Sequence, residues 1–234
     1  GHAVWVMDTV LREPVRVTPG GWAPAGEVCF LPDGKRLLFT SMEGGEWDIW
    51  EARRADEKEW WWRTRDFRLR RLTEDPARER SLAVGPAGKR VAFVKGDGDL
   101  WVMAGDGTEA RRVLDWWRTP GYAWSPDGQW FALSLADADM GYARNIWLLS
   151  LAGESGPVNI SMHPNADYSP AWSADGRRLA WVSRRHDNEP DICWLNLRLE
   201  EEQEESRDRK LEKAIKAMGG KKKGGKGKQG KEEK

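Results

Sequence analysis

Residues 167–196 read DYSPAWSADGRRLAWVSRRHDNEPDICWLN. A strand at Tyr168 to Trp172 runs into a tight turn at Ser173 to Gly176, a second strand at Arg178 to Ser183, a polar loop and a third strand at Asp191 to Asn196. The same order recurs in FLPDGKRLLFTSMEGGEWDIW (Phe30 to Trp50), VGPAGKRVAFVKGDGDLWVM (Val84 to Met103) and WSPDGQWFALSLADADMGYARNIWLL (Trp124 to Leu149). The turn glycines Gly34, Gly88, Gly128 and Gly176 are 54, 40 and 48 residues apart, the period of a four-stranded propeller blade.

Aligned on those glycines, Leu37, Val91, Phe131 and Leu179 fall at one position and Phe39, Phe93, Leu133 and Trp181 two residues on. A period of two marks one buried strand face. Between them stand Leu38, Ala92, Ala132 and Ala180, and the three alanines imply an opposite face covered closely, as when one blade stacks on the next. Within the turns, Asp33, Asp127 and Asp175 precede glycine, and Ala87 replaces the aspartate before Gly88. Aspartate bonds the backbone ahead of it and glycine takes the positive φ that closes the hairpin, so these positions are read as structural, not catalytic.

The 234 residues carry 38 Lys and Arg against 38 Asp and Glu, so no global charge draws the chain to nucleic acid or an anionic membrane. No run approaches the ~20 apolar residues of a membrane span. Cys29 and Cys193 lie in predicted strands of distant repeats and read as reduced core thiols.

Along the chain, Ala3 to Met7 aligns with Asp99 to Met103, the third strand of a blade, and Pro14 to Thr18 follows as a fourth. The expectation is a piece of a longer protein: half a blade, three whole blades and a last blade without its outer strand. That fold class is all-β, a partial β-propeller of four-stranded antiparallel blades over residues 1–198, followed by a charged helical linker (199–218) and a disordered Gly/Lys-rich tail (219–234). Such an arc does not close cleanly, because the half-blade repeats a third strand that the last blade already has. Leu211, Ile215 and Met218 make one narrow stripe on the expected helix. The tail holds seven Lys and two Glu, a local net charge of +5, and is read as a solvated spacer ahead of nucleic-acid binding.

Arg53 to Arg65 is an insertion holding three adjacent tryptophans, Trp60, Trp61 and Trp62. Two readings stand: a partner-contact site, or a hairpin extension whose indoles cap the blade. Trp116 and Trp117 invite the same pair of readings. No nucleophile elbow, phosphate loop, H-E-x-x-H or C-x-x-C is present, so no catalytic residue, cofactor site or metal site is assigned. Asp137 and Asp139 lack the companion oxygens of a calcium loop. Asp48, Asp99, Asn145 and Asp191 recur at the start of each third strand, which points to a repeated hydrogen bond. Ser161 and His163 are expected at a rim, and His186 in a solvated loop.

Trp124 to Leu133 and Trp172 to Trp181, with third-strand echoes at Asn145 to Trp147 and Asp191 to Cys193, resemble the repeats of TolB-type propellers. Those repeats also form the propellers of tricorn-type peptidases and prolyl-oligopeptidase relatives. The succession from Val158 through the charged RDRKLEKAIKAM segment is similar to the end of the propeller region in bacterial tricorn-like proteins, where a helical linker leads to a peptidase core. The resemblance implies a non-catalytic propeller that gates or docks peptides for a downstream peptidase domain. A TolB-like module that binds a protein partner, with no enzyme attached, is the alternative. Peptides or a protein are the expected partners, with no membrane. The cytoplasm is the favoured location, with the periplasm as the alternative because the stretch opens in mid-repeat.

Overall fold

A computed structural model describes residues 2–199, apart from 140, 154 and 186, together with 211, 212 and 214–216. Among the described residues, antiparallel strands form five sheets in chain order. An N-terminal hairpin pairs β1 (Trp5–Met7) with β2 (Pro14–Arg16). Blade 1 comprises β3 (Ala25–Phe30), β4 (Arg36–Ser41), β5 (Asp48–Arg54) and β6 (Phe67–Arg71). Blade 2 comprises β7 (Glu79–Val84), β8 (Arg90–Lys95), β9 (Asp99–Ala104) and β10 (Arg111–Leu114). Blade 3 comprises β11 (Gly121–Trp124), β12 (Trp130–Ala136), β13 (Arg144–Ser150) and β14 (Val158–Asn159). Blade 4 holds β15 (Asp167–Trp172), β16 (Arg178–Ser183) and β17 (Asp191–Asn196).

The blade plan is the expected one, with strand ends shifted by a few residues. The fourth strand expected at Arg70 to Thr73 is Phe67–Arg71, and that at Val158 to Ser161 is cut to two residues. The latter shortens because Ile160 and Ser161 both turn their N–H groups to Ile146 O, which ends the ladder. Of the expected linker helix, residues 199, 211, 212 and 214–216 are helical, with Leu199, Leu211 and Ile215 exposed. The rest of that helix and the Gly/Lys-rich tail lie outside the described residues.

The alternation in each second strand sets the stacking. Leu37 and Phe39 pack with Val4 and Val17 of the hairpin, whereas Leu38 packs with Val91 and Phe93 of blade 2. Ala92 and Val94 then meet Phe131, Leu133 and Leu135 of blade 3, and Ala132 meets Leu179 and Trp181 of blade 4. Large side chains of each blade thus fill against the small face of the one before it, burying apolar area on both sides of every inner sheet. Indoles tie the blades further: Trp124 Nε1 donates to Ala83 O at 3.3 Å and Trp172 Nε1 to Ala123 O at 3.2 Å.

Candidate functional site

The strands β3, β7, β11 and β15 lie at corresponding edges of their sheets, with β3 packed on β7 and β11 on β15. In a radial arrangement these first strands line the central channel. Three of them carry a break in register: between Ala25 and Val28, between Arg80 and Ala83, and between Tyr168 and Ala171. Such a bulge turns backbone groups out of the ladder. Ser81 and Ser169 sit at matching places in two bulges with φ of 55° and 56°, a left-handed conformation that serine seldom adopts. The Leu82 N–H points across to Glu27 Oε2 of the preceding blade at 2.6 Å. The Tyr122 hydroxyl meets Ser81 O and lies 3.1 Å from Ala92 O. Burial, with Glu27 and Cys29 beside it, holds that phenol neutral. Burial and Glu27 likewise push the Cys29 thiol up to about 11, so neither group is an activated nucleophile. Nothing in the residue types of Ser81 or Ser169 announces the bulges.

The insertion between β5 and β6 places all three tryptophans in irregular backbone. Trp61 is 6% exposed, packs with Phe39 and Ala52, and donates Nε1 to Gly34 O at 2.7 Å. It therefore caps blade 1. Trp60 is 57% exposed and stacks on Trp62, with ring centroids 4.9 Å apart and planes 18° from parallel. The triplet divides into one buried indole, Trp61, and an outer stack in which Trp60 is exposed while Trp62 is half-buried against the same core. Trp116 packs against the core between blades 2 and 3, while Trp117 is half exposed.

On the turns, Gly34, Gly88, Gly128 and Gly176 have φ between 65° and 70°. Asp33 Oδ1 accepts from Lys35 N, Asp127 Oδ1 from Gln129 N, and Asp175 Oδ1 from Arg177 N. The Ser125 hydroxyl and the Gln129 N–H hold Asp127 below the usual carboxylate range, and the Ser173 hydroxyl with the Arg177 N–H does the same for Asp175.

The repeated aspartates fasten each third strand to the segment leaving the blade. Asp48 pairs with Arg71 at 2.6 Å, Asp99 Oδ1 accepts from Trp116 N at 3.2 Å, and Asn145 Oδ1 accepts from His163 N at 2.8 Å. Asp191 departs from the expected pattern: it is exposed, and blade 4 has no fourth strand among the described residues for it to fasten. The Ser161 hydroxyl donates to Asn145 Oδ1 at 3.0 Å, while His163 Nδ1 accepts from Asn165 N at 3.1 Å. Serine and histidine are thus each bonded elsewhere, not to one another. His186 lies outside the described residues. Asp137 forms a local turn with Asp139 N and bonds Asn159 Nδ2. Among the described residues no group of three or more His, Cys, Asp or Glu could hold a metal ion, and no helix is long and apolar enough to cross a membrane.

No family model matches the chain. A tricorn protease homolog of Saccharolobus solfataricus is 28% identical over 165 residues, covering 70% of this chain and 13% of that protein. The Tol-Pal system protein TolB of Anaeromyxobacter dehalogenans is 35% identical over 88 residues, 35% of this chain and 17% of its own length. The chain therefore spans well under a fifth of either relative. Among solved structures, TolB from Acinetobacter baumannii superposes with a TM-score of 0.59 at 17% identity, over 83% of this chain and 46% of that one. The tricorn protease gives 0.59 at 14% identity, over 79% of this chain and 19% of its own. Repeat motif, blade register and relatives converge: the chain is a run of β-propeller blades similar to those of TolB and of tricorn proteases.

Proposed function

We propose that this chain is the non-catalytic propeller portion of a tricorn-like serine peptidase and docks or gates peptides for a peptidase core elsewhere in the parent protein. The observation that carries this reading is the match to a tricorn protease homolog across 70% of the chain. The inner wall supports it chemically. Bulged first strands expose backbone polar groups, such as those around Ser169, to which an extended peptide can add hydrogen bonds. Hydrolysis needs an activated nucleophile beside its base, and Ser161 and His163 are engaged with other groups. A cytoplasmic setting goes with this reading.

The match to TolB at 35% identity favours a second reading, a protein-binding module with a periplasmic setting. The coding sequence on either side separates the two. A serine peptidase core downstream supports the first, while an upstream signal peptide with a stop codon soon after Lys234 supports the second. For the chain itself, calorimetric titration with unlabelled peptides of eight to twelve residues, alongside a fluorogenic-peptide assay, is the direct experiment. Binding without turnover is expected. Turnover that vanishes in His163→Ala, or no peptide binding by folded protein, overturns the docking reading.

A further inference from the structure

A cleft of about 600 Å³ lies between blades 3 and 4 and is lined by Trp130, Leu148, Trp172 and Leu197 together with Asp127 and Asp175. Comparison with the other junctions isolates what is singular about it. Between blades 1 and 2, Arg36 Nη1 donates to Gly105 O at 3.1 Å and Arg70 Nη2 to Asp106 O at 2.9 Å. Between blades 2 and 3, Arg111 Nη2 donates to Leu151 O at 3.2 Å. Gly105, Leu151 and Leu197 are one structural position, since their N–H groups bond Lys89 O, Gln129 O and Arg177 O, each one residue past the turn glycine. At two junctions, therefore, an arginine of one blade caps this carbonyl of the next.

At the third junction both arginines are missing. The first rung of each second strand against the third is Arg36 to Arg53, Arg90 to Ala104, Trp130 to Ser150 and Arg178 to Asn196. Tryptophan stands in blade 3 where the other three blades have arginine. Arg111 pairs Val102, and its counterpart Val158 pairs Leu148. Leu197 O consequently accepts no hydrogen bond among the described residues. Asp127 matches this gap. In blade 1, Asp33 Oδ2 accepts from Arg36 Nε at 3.0 Å; in blade 3, Ser125 Oγ and Gln129 N occupy only Oδ1 of Asp127. Trp130 is 41% exposed at the same place.

We infer that this cleft takes the guanidinium of an arginine side chain from a bound peptide, which lies across the Trp130 ring and donates to Asp127 Oδ2 and Leu197 O as Arg36 does to Asp33 and Gly105 O. The inference rests on the peptide-docking reading and names the side chain that is read. Arg177 and Arg198 also border the cleft, so charge alone does not draw in a cation. Selectivity comes from a planar fork that bonds two acceptors while stacking on an indole, which a lysine ammonium does not reproduce.

The experiment uses the whole chain and the probe acetyl-Gly-Arg-Gly-amide, followed by NMR at the Trp130 indole N–H, assigned by its loss in Trp130→Phe. A saturable shift is expected, with the citrulline analogue at least tenfold weaker and the lysine analogue weaker by several-fold. Asp127→Asn keeps the turn acceptor and is expected to weaken binding at least tenfold. Trp130→Arg restores in place the arginine of the other blades, so it is expected to abolish binding while melting no lower than the parent. Equal binding of the citrulline peptide, unchanged binding by Trp130→Arg, or no saturable shift in folded protein overturns the inference. If the arginine probe fails while arginine-free peptides still bind, the cleft assignment falls and the docking reading stands.

Discussion

Gly88 lies against Pro32, the first corner of the preceding blade's turn, so that a Cβ built on Gly88 would stand 2.6 Å from Pro32 Cδ. Gly128 and Gly176 approach Pro86 and Pro126 in the same way, at 3.7 Å. The Pro and Gly of successive turns therefore serve blade stacking as well as the turns themselves. Gly34 has the same positive φ but open space around it. Gly34→Ala is expected to cost about 1–2 kcal/mol for the left-handed backbone alone. Gly88→Ala is expected to add about 1–3 kcal/mol of overpacking. Urea unfolding of both variants checks this, and Pro32→Ala should recover part of the excess only in the Gly88→Ala background.

Asn145 stands where blades 1 and 2 have Asp48 and Asp99, and its Oδ1 accepts from both Ser161 Oγ and His163 N. Asn145→Asp keeps the acceptor, but Asn159 stands where Arg71 and Arg112 pair with Asp48 and Asp99, so the variant should change stability little only at a pH low enough to keep the buried carboxyl protonated, where its melts are compared. Asn145→Ala leaves those donors without their partner in a buried place and is expected to cost about 1–3 kcal/mol. Thermal melts of the two variants side by side test the claim; equal losses would mean that the recurring acceptor is not what matters.

Glu79 is 1% exposed, and burial, reinforced by Asp75 and Asp48 and opposed by Lys95 and the Thr73 hydroxyl, raises its pKa from 4.5 to about 7. The folded chain therefore holds this proton where the unfolded chain has released it. Stability from this group is full below pH 4.5 and declines as pH rises through about 7, by at most roughly 3 kcal/mol at ~1.4 kcal/mol per pH unit. The melting temperature should be higher at pH 5 than at pH 8, and Glu79→Gln should flatten that slope. A melting temperature that rises over this interval in the parent would contradict the shift.

The blade plan was readable because the alternation of Leu37, Leu38 and Phe39, and of their counterparts, reports two covered faces at once, and because Pro-Asp-Gly turns punctuate it. The bulges were not readable. Serine carries no preference for the left-handed backbone that Ser81 and Ser169 adopt, and the bonds around Ser81, from Leu82 N–H to Glu27 and from the Tyr122 hydroxyl to Ser81 O, come from residues distant in sequence on the neighbouring blades. Trp130 was visible as a departure from Arg36, Arg90 and Arg178. Its meaning depended on Arg36 reaching Gly105 O, a contact 69 residues distant in sequence. Three identical neighbours at Trp60 to Trp62 hid a division of labour, since adjacency says nothing about which ring turns inward.

That division gives the last prediction. Trp61 fills the end of blade 1 beside Phe39 and bonds Gly34 O, so Trp61→Ala removes a buried aromatic and is expected to cost about 3–5 kcal/mol. Trp61→Phe keeps most of the packing and loses the bond to Gly34 O, for about 1 kcal/mol. Trp60→Ala removes an exposed ring whose contact is the stack with Trp62. An aromatic stack of this kind is worth on the order of 1 kcal/mol, so this variant should melt close to the parent. If the outer pair is a partner contact, Trp60→Ala should weaken binding of the protein partner while leaving stability nearly unchanged, whereas Trp61→Ala should lower both together through unfolding. Denaturant titration paired with a binding measurement on each variant separates the two roles. Equal destabilisation by Trp60→Ala and Trp61→Ala would show that the stacked pair, too, holds the blade.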